Sequence, residues 1–500
     1  KAREEQRQFY TSKKSGARIL AQQPAWRQAG PLSVGGRTRS IVHHPTKDGL
    51  LYVGAAYGGV WKSADGGGKW EPIMDFENSI SMGALAIDHN NPDILYAATG
   101  EFVGGHYVYP GAGIFKSTDA GATWNLIGLT DVGGFSKIYV HPKNSQLIYA
   151  GAVFSNAGFY KSTDGGNTWR RTLASGSVTD ISINPNDQND VIIGVSGIGI
   201  YRSSDGGETW GEPKELPYAT LGRVSVQMAP SEPKTVYALI DRGTDMGAVI
   251  RSKDNGATWE IVFSDHSIFG TTTPPLRGQG NYDNMITVHP TNPGIVIVGG
   301  VNLFRTDDGG ANWLQVGGYG QVVHPDMHCC LFNPNNPNTV YVGCDGGMYR
   351  SDDAGQNWSP INTGLAVTQF HGNFAMDQTK PKALYGGTQD NGTLSNSSTR
   401  FGEILGGDGG FTAIDNNPNI IYGENEQGRA MYRIDLKNGG VSQIGSDFAT
   451  SDLGAWAAPL VVDPATNTLF SGRTSLYASY NQGTKWDKIS PPLKSVISMI

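Results

Sequence analysis

An all-β fold of four-stranded blades set around a central axis, a β-propeller, is predicted by three observations. A ten-residue phrase recurs along the chain, Pro-centred turns recur with it, and the composition is rich in glycine and poor in charge. The phrase is clearest at Tyr160 to Trp169, YKSTDGGNTW. It returns as WKSADGGGKW ending at Trp70, FKSTDAGATW at Trp124, YRSSDGGETW at Trp210, IRSKDNGATW at Trp259, FRTDDGGANW at Trp313 and YRSDDAGQNW at Trp358. A worn copy, YASYNQGTKW, ends at Trp486 with Asn481 in place of Asp. Self-similarity at a fixed period marks a repeat architecture.

Each part of the phrase has a local role. An aromatic and a basic residue alternate at a strand end, one side chain buried and the next wet. Asp and Gly then make a tight turn, the carboxylate accepting from N–H groups of its own loop and Gly supplying positive φ. Trp opens the returning strand and covers the turn. Asp65, Asp119, Asp164, Asp205, Asp254, Asp308 and Asp353 are therefore structural rather than catalytic or metal-binding.

The phrases HPTKDG, DHNNPD, HPKNSQ, NPNDQN, HPTNPG and NPNNPN mark successive units. The first unit reads as strands at Arg39–His44, Leu50–Ala55, Gly59–Ser63 and Lys69–Ile73. Four such strands per unit of roughly 40–50 residues match one propeller blade. Two further units without good hairpins follow Trp358, giving ten. The expected layout is a lead-in over 1–25, helical or loosely ordered, a first propeller of about seven blades over 26–365, and further blades of a second, incomplete propeller over 366–500. A single ten-bladed ring is the alternative. The final SVISMI resembles the opening of the second unit and reads as the first strand of an eleventh.

The totals limit the function. A repeat array can reach 500 residues without one large core. Glycine numbers 69 and charged residues make up 17% of the chain, as short strands joined by turns require. Net charge is −7 with no basic block, which argues against nucleic acid as a partner. No apolar run reaches the ~18 residues of a membrane span. Cys329, Cys330 and Cys344 are too few for a disulfide framework; one of the first two can pair with Cys344 if their strands are neighbours, or all can be free. The chain opens at Lys1 without Met, which suggests a processed or trimmed start.

Candidate chemistry sits where acids replace small residues after the second strand of a unit. These are Glu101 in TGE, Asp345 in GCDGG, Gln389 and Asp390 in GTQDNG, and Glu424 and Glu426 in GENEQG. Two first-strand entries are also polar, Asp326 and His328 in HPDMHCC and Asp408 in GGDGGF. Paired carboxylates can act as acid and base on a glycosidic bond. Carboxylates with backbone carbonyls can instead hold a structural Ca²⁺, although no EF-hand spacing is present. Asp326, His328, Asp345, Gln389 and Glu426 are candidate ligand-binding residues.

The repeated phrase resembles the Asp-box, or BNR repeat, of sialidases, sortilin-type receptors, xyloglucanases and many secreted bacterial proteins, where it lies on the outer rim of a propeller. GRTRSIVHHP, YGGVWKSADGG, ATGE, DGGMYRSDDAG, LAVTQF, GGTQDNGT and GGDGGF resemble large secreted bacterial BNR-repeat proteins described as glycosyl-hydrolase-like, many with a C-terminal surface-attachment domain. Xyloglucanases are tandem seven-bladed propellers with one catalytic Asp in each. LGGDGGF resembles the segment carrying the second of these, which implies Asp408 as base. The segment for the first reads GAAYGG, with Tyr57 and no acid, so Glu101 or Asp390 would serve as acid. The sialidase resemblance implies an arginine triad. Arg37, Arg39, Arg223 and Arg277 are available but lack the usual Arg-Ile-Pro phrase, and they read as surface or turn-bracing groups.

These resemblances imply a secreted or cell-surface propeller that binds carbohydrate or an extracellular protein through its channel-mouth loops. A glycoside hydrolase acting on a polysaccharide, with Asp408, Glu101 and Asp390 as catalytic candidates, is the first alternative. A structural subunit of an extracellular assembly is the second.

Overall fold

The computed structural model describes residues 30–102, 109–217, 222–242, 247–270, 278–377, 383–396, 401–425, 430–448, 451–452 and 454–499. The lead-in, Arg277 and Glu426 lie outside them. Ten antiparallel sheets follow one another along the chain, at 38–72, 82–128, 134–173, 178–203, 224–265, 285–317, 327–360, 370–405, 409–444 and 460–488. The fourth has three strands and a single bridge, Ile200 to Lys214, where a fourth strand would lie; the other nine have four each. Every sheet is an up-and-down meander, the consequence of joining short strands by tight local turns. Among the described residues there is no α-helix, only a 3-10 turn at His266–Ile268.

The first sheet contains Thr38–His43, Leu51–Ala55, Val60–Ser63 and Glu71–Pro72, within two residues of the ranges read from sequence. Sheets one to seven pack in succession through their first two strands, and the first strand of sheet one also lies beside that of sheet seven. Ile41, Leu51, Val53 and Trp61 of sheet one form a continuous core with Tyr341 and Met348 of sheet seven. Thr38 Oγ1 donates to Gly347 O at 3.1 Å across this seam. Gly35 is required there, because a Cβ would fall 1.8 Å from Gly346 O. Sheets eight, nine and ten pack in sequence through their first strands. The described residues 495–499 form no strand, although Ile497 N donates to Arg473 O at 2.8 Å.

The repeated hairpins share one hydrogen-bond scheme. Thr258 N and Thr258 Oγ1 donate to the two oxygens of Asp254 at 2.8 and 2.6 Å. The buried Ser252 Oγ donates to Asp254 at 2.8 Å and accepts from Gly256 N at 2.7 Å. The bonds from Thr258 and Ser252 hold the exposed Asp254 down to about 2. Tryptophan does more than roof its own turn: Trp124 Nε1 donates to Ile73 O at 2.9 Å and Trp70 Nε1 to Ile361 O at 2.8 Å, each reaching the neighbouring sheet. The His-Pro turns are braced by neutral rings. His44 Nδ1 accepts from Lys47 N at 3.0 Å, and burial lowers its pKa.

The three cysteines are free thiols. Their strands are neighbours, as a disulfide would require. Cys329 instead stands opposite Gly343, Cys330 opposite Val342 and Cys344 opposite Met327.

Candidate functional site

In an antiparallel pair, the start of one strand faces the end of the next. Met82 faces Thr99, Met327 faces Cys344 and Phe370 faces Thr388. Residues just before a first strand and just after a second strand therefore reach the same end of the axis. Arg37, Arg223, Tyr282, Asp283 and Asp326 come from the first position; Glu101, Asp345 and Gln389 come from the second.

Asp345 is the centre of this cluster and is fully buried. Its Oδ1 accepts from Arg37 Nε at 3.1 Å and bonds His328 Nε2 at 2.6 Å. Its Oδ2 accepts from Gln389 Nε2 at 2.7 Å and from the Tyr282 hydroxyl. Arg37 also pairs with the fully buried Glu101, Nη1 to Oε1 at 2.6 Å, and stacks over the Tyr282 ring at 4.9 Å. Arg39 donates through Nη2 to Phe102 O at 2.6 Å and bonds His328 Nδ1. Arg37, Arg39 and Arg223 are thus buried axial groups, not the surface or turn-bracing ones expected.

The electrostatics separate the acids. Burial opposes ionisation of Asp345, but Arg37 and His328 overcome it and hold this carboxylate well below its usual range. Burial and the charge of Asp345 push Asp390 well up, and Asp390 hydrogen-bonds to Asp345. Burial and Asp326 push Asp283 well up, and the two carboxyls face each other. Asp326 rises to about 8, through burial and then Asp345. In each carboxyl pair at least one member is pushed toward its neutral form, which lets these buried acids and bases coexist. His328 is neutral, lowered to about 3 by burial and by Arg39.

The 389–391 loop of sheet eight covers the cluster. Asn391 Nδ2 donates to Asp345 O at 3.0 Å, and His324 Nε2 bonds Asp390 O at 3.0 Å. Asp390 and Asp408 lie at its half-buried rim, where Asp408 Oδ1 accepts from Asp390 N at 2.9 Å. Below the cluster the first strands enclose an axial cavity of about 330 Å³, lined by residues including Arg39, Lys137, Arg223 and Cys330.

Glu101, Asp326, His328, Asp345, Gln389 and Asp390, distant in sequence, are brought together, with Asp408 at their edge. Glu424 is buried apart from them, in sheet nine, where Oε2 accepts from Phe411 N at 3.2 Å. Tyr282 and Asp283 were not singled out from sequence. Aligning the units on their first strands would have found them, since NYDNMI occupies the place of GGRTRS and HPDMHC. Asp326, Asp345 and Asp390 each place a carboxylate oxygen within 4.8 Å of the others, a set that can hold a cation. Four donors already occupy Asp345, so an ion would have to displace some of them.

No model of a known protein family matches the chain. A xyloglucanase of Paenibacillus is 26% identical over 358 residues, covering 58% of this chain and 32% of its own length. A xyloglucanase of Hypocrea jecorina is 24% identical over 362 residues, covering 67% of this chain and 40% of its own. The chain thus matches only 32% and 40% of the length of these two curated relatives. Among solved structures, the GH74 enzyme of Niastella koreensis superposes with a TM-score of 0.66 at 20% identity, covering 92% of this chain and 73% of that one. The chain is a β-propeller protein similar in sequence to xyloglucanases.

Proposed function

We propose that this protein is an extracellular glycoside hydrolase that cleaves a β-linked polysaccharide of the xyloglucan class, with Asp390 as general acid and Asp408 as general base. The single observation that carries this reading is the pairing at the rim. Burial and ionised Asp345 push Asp390 well up, and Asp408 Oδ1 accepts from its backbone N–H at 2.9 Å. A carboxyl held neutral by its surroundings is suited to the acid role. In the reaction, Asp390 gives its proton to the leaving glycosidic oxygen as the anomeric carbon–oxygen bond breaks. Asp408 takes a proton from the water that forms the new bond. Glu101 is fully buried against Arg37 and serves as its counter-ion. Similarity to two xyloglucanases supports the substrate class. In this reading 26–365 form one seven-bladed ring and 366–500 belong to a second.

A second reading, a non-catalytic carbohydrate binder, is favoured by the 389–391 loop that covers the axial cluster. One experiment separates the two. Reducing-end release from xyloglucan and mixed-linkage β-glucan is measured for the parent chain, Asp390→Asn and Asp408→Asn. Cleavage by the parent and a loss of about 10² or more in each variant is expected. Binding without cleavage by the parent, or unchanged cleavage by Asp408→Asn, would overturn the hydrolase assignment.

A further inference from the structure

Beside the rim, on sheets one and two, lies a cleft of about 240 Å³ whose wall includes Tyr57, Glu77, Ser81 and Tyr109. Tyr57 is 50% exposed. Its ring stacks on Tyr109, centroids 4.5 Å apart and planes 29° from parallel, and both rings line the cleft. A large exposed aromatic is usually mobile, but this one is carried on a fixed backbone. Gly58 N and Gly59 N both donate to Ile80 O, at 3.1 and 2.8 Å, and Ala56 N donates to Arg37 O at 2.9 Å. Trp61 Nε1 donates to Gly58 O at 2.9 Å.

The stack is joined to the carboxyl pair by a short chain of contacts. Gln369 Nε2 donates to the Tyr109 hydroxyl at 3.4 Å, and Gln389 N donates to Gln369 O at 2.9 Å. Asp390 follows directly. A rigid aromatic face, lining a cleft and flanked by carboxylate and hydroxyl groups, matches a pyranose ring. Such a ring offers flat C–H faces for stacking and equatorial hydroxyls for hydrogen bonds.

We infer that Tyr57, backed by Tyr109, is a sugar-stacking platform that binds one glucopyranosyl unit of a β-linked chain next to the Asp390–Asp408 rim. This deepens the hydrolase reading and rests on it for the substrate class. The platform is a positioning element: Tyr57 holds a ring at a fixed distance from the carboxyls and takes no proton.

The test uses the full chain carrying Asp408→Asn, so that ligand survives. Binding of cello-oligosaccharides and xyloglucan oligosaccharides is measured by titration calorimetry for this parent and for added Tyr57→Ala or Tyr57→Trp. Loss of the stack should weaken binding about 10- to 30-fold, and Trp should restore it. Since Tyr57 is half exposed, all three proteins should melt together, which separates a lost platform from a lost fold. In the Asp408-intact chain, Tyr57→Ala should raise KM and leave kcat nearly unchanged. Equal affinity of the parent and Tyr57→Ala, or no binding of any of these glucans, would overturn the platform. A chain that never cleaves glucan yet loses binding with Tyr57→Ala would retain the platform and lose the hydrolase.

Discussion

Replacing Arg37 with Met is the sharpest test of the axial cluster. Arg37 is 7% exposed and holds two fully buried carboxylates, Glu101 at 2.6 Å and Asp345 at 3.1 Å. Methionine preserves much of the apolar stem but leaves both acids without their cation. Breaking a buried ion pair from one side costs about 3–5 kcal/mol, because the remaining charge stays desolvated. In a ring of this size that corresponds to a melting temperature roughly 5–15 °C lower. The loss depends on pH in a definite sense. In the parent, Asp345 titrates below its unfolded value, so its contribution is present above about pH 4 and fades as pH falls through the folded pKa. In the variant, Asp345 loses the cation that offsets its burial, so its contribution is retained in acid and lost as pH rises. The gap between the two proteins is therefore widest near pH 8 and narrows by pH 5. Thermal unfolding followed by tryptophan fluorescence at both pH values measures it. Equal midpoints at pH 8, or a gap that does not change with pH, would refute the buried network.

Three further outcomes follow from other parts of the molecule. Ser252→Ala strips Gly256 N of its acceptor and should cost about 1–3 kcal/mol in urea unfolding while leaving any glucan binding unchanged. Asp326, raised to about 8, favours its protonated form in the folded state, so the parent should lose stability as pH rises from about 4 through 8. Asp326→Asn should flatten that slope in a melting-temperature series. Burial raises Cys329 to about 12 and Cys344 well above the usual thiol range. A thiol reagent at pH 8 should therefore react with the native chain slowly and with all three cysteines after unfolding; rapid native labelling would contradict this packing.

The sequence by itself determined the blades. The contacts that make a repeated hairpin lie within about ten residues, as in Ser252, Asp254, Gly256 and Thr258, so residue type and spacing are enough to specify it. The same locality placed the strands of the first sheet within two residues. It also nominated Asp345 and Asp390, because an acid after a second strand breaks the repeat's own pattern. Tertiary structure alone decided what those acids do. Arg37 and Asp345 lie 308 positions apart and meet only because sheet one packs against sheet seven. Whether an arginine braces a turn or neutralises a buried carboxylate depends on that closure. The protonation of Asp390 is likewise set by Asp345 and by burial, neither of which is encoded in the residues beside it. Hairpin chemistry is short-ranged and legible along the chain, whereas charge and desolvation act through space and wait for the ring to form.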